Sequence, residues 1–147
     1  MPSMPESSFE EIIERDGKLV YTNRGFSMYP LIRQHRDLLV ISKKPEGKLK
    51  KYDVVLFKRN NKYILHRIIA VYENSYDTTG DHNWWKEKDV RDDEIIGVLT
   101  SLVRNGKEIS TDDPKYHMYV RAWYGICYPV RNVIMKTRSQ VKKLLKR

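Results

Sequence analysis

The sequence predicts a mainly β domain with a short helix near its start and an amphipathic helix at its end. Three observations carry that reading. Five runs rich in branched and aromatic residues are separated by turn formers. Two of the intervals have hairpin-type turns. Helix signals are confined to the two ends.

The first element, SSFEEIIER over residues 7–15, reads as a helix because Ser7 or Ser8 can cap its first turn. Glu10 or Glu11, three places on, completes a capping box. Asp16-Gly17 ends it. The strand candidates follow as LVYTN, DLLVIS, DVVLFKR, KYILHRIIAVY and EIIGVLTSLV. Asn60-Asn61 is expected to join the third and fourth as an antiparallel hairpin, and Asn105-Gly106 is a stronger signal of the same kind before KEIS. No internal repeat interrupts the pattern, so one irregular sheet system is expected over residues 1–128. Pro129 is placed to open a last helix, 129–147, in which Val130, Val133, Ile134, Val141, Leu144 and Leu145 recur at helical spacing among bases.

With 147 residues the chain has the length of one domain. No apolar run approaches the roughly 18 residues of a membrane span, and the start lacks the basic and apolar pattern of a secretory signal. A cytoplasmic location is expected. A single cysteine, Cys127, excludes an internal disulfide and a cysteine-based metal cluster. Lys and Arg number 28 against 19 Asp and Glu, a net charge of +9. Seven bases and no acids lie beyond Pro129, which leaves the rest close to neutral. Attraction to anionic surfaces therefore belongs to the tail. Its apolar face has two expected uses: covering an edge or face of the β body, or lying on a membrane beside Tyr116, Tyr119, Trp123, Tyr124 and Tyr128.

Three segments offer parts of a hydrolytic constellation: GFSMYP at 25–30, ILHRI at 64–68 and TGDHN at 79–83. Ser27 is a candidate nucleophile, which needs a base to remove its proton. His66 is a candidate base, since neutral imidazole is available near pH 7. Asp81 is a candidate orienting carboxylate. Each also has a plain reading, as a turn serine, a satisfied strand histidine and an ordinary loop acid.

Read with their flanks, GFSMYPLIRQHRDLLVI, KYDVVLFK, YILHRIIAV, TTGDHN and DEIIGVL resemble, in order, the motif series of the S24/S26 serine peptidases. That family includes type I signal peptidases and LexA-like repressors. The resemblance implies a LexA/signal-peptidase-like complex of antiparallel sheets, with 1–128 as the catalytic domain and Ser27 as nucleophile. Gly25 and Met28 match the serine block and fall to the oxyanion and substrate-binding region, where the Ser27 N–H is the family's usual donor. His66-Arg67 resembles the histidine branch found in archaeal and endoplasmic-reticulum signal peptidases, and Gly80-Asp81 resembles its Gly-Asp block. His82 and Tyr52 depart from the pattern. A second acid of that branch is left open between Glu87 and Asp89.

The resemblance implies no metal and no cofactor. It implies a peptide or protein substrate, cut after small residues such as Ala. The family's hydrophobic anchor has no counterpart here, so the expected role is leader removal by a cytoplasmic endopeptidase held peripherally at a membrane by its tail. A repressor is disfavoured: only 26 residues precede Ser27, and the candidate base resembles the family's histidine and not its lysine. The Trp84-Trp85 pair is expected either to gate the groove or touch lipid, or to cap the core. Two rivals stand beside the enzyme. One is a basic β domain binding nucleic acid, against which the near-neutral body argues. The other is a degenerate peptidase that binds peptides without cutting them.

Overall fold

A computed structural model describes residues 8–83 and 85–146. Trp84 and Ser7 lie outside the described residues. Helix α1, Phe9–Asp16, is capped by Ser8, whose Oγ accepts the Glu11 N–H at 3.2 Å. Gly17 closes it in the left-handed region at φ +76°, where a Cβ would be strained.

Among the described residues, eight antiparallel strands form one sheet: β1 Lys18–Tyr21, β2 Asp37–Lys43, β3 Val54–Arg59, β4 Lys62–Val71, β5 Tyr76–Thr79, β6 Glu87–Val90, β7 Ile95–Arg104 and β8 Lys107–Ser110. Their order is β1-β2-β7-β3-β4-β5-β6, with β8 also paired to β7. The mainly β expectation holds. Asn60 and Asn61 both take positive φ, as do Asn105 and Gly106, so both expected hairpins close on left-handed turn residues. Register shifts at Val40/Ile41, Leu56/Phe57, Ile68/Ala70 and Tyr76/Thr78 bend the sheet. One face is buried under α1 around Leu39, Leu56, Leu65 and Met28. The other is buried around Phe57, Ile68 and Tyr76.

Strand alternation on β4 decides the chemistry that follows. Leu65 belongs to the first core and Ile68 to the second, so neighbouring side chains leave β4 on opposite faces. His66 shares the Ile68 face, with its ring 6.4 Å from that of Phe57. Arg67 leaves on the other.

The terminal helical region begins earlier than Pro129. Asp113 caps helix α2, Pro114–Ala122, by accepting the Lys115 N–H at 2.8 Å, with Pro114 in the first turn. A π turn, Trp123–Cys127, then leads without a break into helix α3, Tyr128–Leu145. A proline ring inside a regular α-helix collides with the carbonyl four residues back. The wider π turn just before Pro129 relieves that collision, which is why Pro129 sits inside the helical run and does not start it. α2 packs on the body through Tyr116 and Val120, joined by Tyr124 of the π turn. α3 has no buried residue, so its apolar stripe does not cover the β body. Among the described residues no helix is long and apolar enough to cross a membrane.

Candidate active site

Ser27 lies in the loop between β1 and β2, which is held at several points. Gly25 takes φ +91°, and its N–H donates to Gln34 Oε1 at 2.7 Å. That N–H is therefore occupied within the loop, and the positive φ suits glycine at this turn. Met28 is fully buried in the first core. Its side chain is a plug that anchors the loop. Further along, Asp37 accepts from the Arg33 N–H and from the guanidinium groups of Arg36 and Arg104. These ion pairs draw its carboxyl from an ordinary 3.8 to about 2, against burial, which pushes the other way.

The Ser27 loop meets the 80–83 loop through its backbone. The Ser27 carbonyl accepts the His82 N–H at 2.9 Å. A Cβ on Gly80 would stand 2.3 Å from that same oxygen, so residue 80 must be glycine for the two loops to touch. Thr79, one residue earlier, is the register partner of Arg67. The GFSMYP, ILHRI and TGDHN segments are thus neighbours in space.

His66 is paired with Glu87 and not with Asp81. Its Nδ1 lies 2.7 Å from Glu87 Oε2, and Thr78 Oγ1 donates to the same oxygen at 3.1 Å. Burial raises the Glu87 pKa, but the hydrogen bond from His66, its charge and the Thr78 hydroxyl outweigh that and hold the carboxyl below its ordinary 4.5. An ionised Glu87 requires a proton on Nδ1, which leaves Nε2 as the lone-pair nitrogen in the neutral ring. No hydrogen bond among the described residues joins the Ser27 hydroxyl to the imidazole.

Asp81 has a different occupation. Arg67 Nε and Nη2 donate to its two oxygens at 2.9 and 3.0 Å, a bidentate pair with both side chains wholly buried. Tyr119 Oη donates to Oδ2 at 2.9 Å and Tyr124 Oη to Oδ1. The four acceptor positions of the carboxylate are then filled, and none remains for His66. Arg67 Nη1 donates to the Tyr52 carbonyl and to Tyr116 Oη, both at 3.0 Å. Burial alone would lower the Arg67 pKa; the Asp81 charge overrides it and holds the guanidinium ionised. Burial, then the Asp81 charge, drives the hydroxyls of Tyr119 and Tyr124 far above their ordinary range. The Asp81 main-chain carbonyl accepts from Trp123 Nε1 at 2.8 Å and from Arg131. Asp81 thus ties the terminal helices to the sheet.

Sequence reasoning left Glu87 open and offered Tyr119 and Tyr124 to a membrane surface, whereas their hydroxyls hold Asp81. The charged strand that carries Glu87 has no alternating apolar pattern to reveal it. Asp89, the other open acid, is exposed and pairs with Arg91. Among the described residues no cluster of three or more histidine, cysteine or acidic side chains is arranged to hold a metal ion. Comparison of the chain with protein-family models and with curated proteins returned no match.

Proposed function

We propose that this chain is a serine endopeptidase of signal-peptidase type that removes a leader or signal-like peptide after a small residue. The observation that carries this reading is the 2.7 Å bond from His66 to Glu87, which leaves the Nε2 lone pair uncommitted on a strand, β4, whose partner β5 runs into the loop that meets Ser27. Ser27 Oγ attacks the peptide carbonyl while His66 Nε2 takes its proton. Glu87 holds the tautomer and stabilises the imidazolium. The proton then passes to the leaving amine, and a water attacks the acyl-enzyme by the same route. The Ser27 N–H donates to the developing oxyanion, a contribution of about 3 kcal/mol for one such donor. In this scheme Glu87 takes the orienting role first expected of Asp81.

Digestion of a peptide library by the wild type and by Ser27→Ala tests this. Cuts after Ala or other small residues by the wild type alone are the expected outcome; identical digests sink the proposal. The missing Ser27–His66 hydrogen bond favours one second reading, a peptide binder that does not cut. An active-site serine probe separates the two, since an unactivated hydroxyl stays unlabelled.

A further inference from the structure

The net charge of this protein is confined to its terminal helical region. Before Pro114 the chain contains 19 bases and 19 acids; from Pro114 onward it contains nine bases and no acid. The large aliphatic residues of α3, within that region, are uncovered. Val130, Val133, Ile134, Val141, Leu144 and Leu145 on α3 are all 48–81 % exposed. At 3.6 residues per turn they fall within an arc of roughly 120°. Arg138 and Lys142 border that arc on one side, and Lys136 and Lys143 on the other.

We propose that α3 lies in the plane of an anionic lipid surface, with this arc in the acyl boundary and the flanking bases at the headgroups. Charge complementarity selects the occupant. A second copy of the helix would bring bases against bases, with no acid on α3 to pair them. A nucleic acid would neutralise the bases and leave six large aliphatic side chains in water. An anionic bilayer satisfies both sets of groups. The bound helix would also bring the candidate active site to the lipid surface. Arg131, in the first turns of α3, donates to the carbonyls of Asp81 and His82, and the His82 N–H holds the Ser27 carbonyl. The assignment does not rest on the peptidase reading, so Ser27→Ala should bind lipid as the wild type does.

The test is sedimentation of the full chain with vesicles of phosphatidylcholine, with and without one-third phosphatidylglycerol, at low and high salt. Anionic vesicles should bind at least about tenfold more tightly than neutral ones, and salt should weaken that binding. Replacing Lys136, Arg138, Lys142 and Lys143 together by Gln should weaken binding more than about tenfold. The double variant Ile134→Ser, Leu144→Ser should weaken it by about tenfold. All six positions are exposed, so thermal unfolding midpoints should match the wild type and separate lost binding from lost folding.

No pelleting with either vesicle would overturn the proposal. So would pelleting that salt abolishes but the apolar double variant leaves intact, since charge alone would then be responsible. Concentration-dependent self-association without vesicles, removed by the same double variant, would assign the stripe to a second copy instead. Displacement of the protein from vesicles by polyuridylate, with equal polyuridylate affinity in the double variant, would assign the tail to nucleic acid.

Discussion

Two adjacent residues of β4 each hold a carboxylate, and the two pairs differ in almost every respect. Arg67 and Asp81 are wholly buried, bidentate, and enclosed by tyrosine hydroxyls, with every carboxylate lone pair used. His66 and Glu87 are joined by one short bond, and their side chains retain 8 % and 17 % exposure. The first arrangement is closed: charge is locked in, and removing one member strands the other in a dry site. The second is open, with a titratable ring that has one nitrogen committed. Saturated hydrogen bonding marks a carboxylate as structural, whereas a pair with a spare valence has the capacity for proton transfer.

The largest expected effect separates the two pairs on activity. If the peptidase reading is right, Glu87→Gln should lower kcat on a cleaved peptide by about a thousandfold or more, because the wrong tautomer of His66 becomes favoured. Its unfolding free energy should change by less than about 1 kcal/mol. Asp81→Asn should do the opposite to stability, costing about 3–5 kcal/mol in urea unfolding. Equal stability losses from the two variants would erase the distinction between a structural and a reactive carboxylate.

Acid sharpens the comparison next. Glu87 and Asp37 both have depressed carboxyl pKa values, so the stability they contribute is complete above their ordinary values and is lost as pH falls through the folded ones. For Asp37, drawn from 3.8 to about 2, this contribution is about 2 kcal/mol at neutral pH. The urea midpoints of the wild type and Asp37→Asn should therefore differ above pH 4 and converge toward pH 2. Glu87→Gln should show a smaller convergence, beginning below pH 4.5.

Two smaller effects probe the edge of the closed network. Tyr119→Phe should cost about 1–3 kcal/mol, since it leaves one Asp81 lone pair unsatisfied. Burial, then the charge of Arg131, holds the His82 imidazole below its ordinary 6.5. In Arg131→Gln an NMR titration should find His82 moved upward toward that value.

Local signals were enough for β1 to β4, β7 and β8, because branched residues, hairpin asparagines and an N-cap serine act within a few positions of themselves. They did not reveal β5, YDTT, or β6, EKDV, whose strand character comes from cross-strand pairing and not from an apolar alternation. They also placed the last helix at Pro129, since the π turn that accommodates the proline depends on α2 continuing through Trp123 to Cys127.

The amino-acid order by itself determined the mainly β body, the serine and histidine candidates, and the gathering of positive charge at one end. Only the tertiary structure decided which acid meets which base. His66 and Arg67 are neighbours in the chain, yet the pleat sends them to opposite faces. There, strand register delivers Glu87 to one, and Asp81 is secured beside the other by tyrosines about forty residues away.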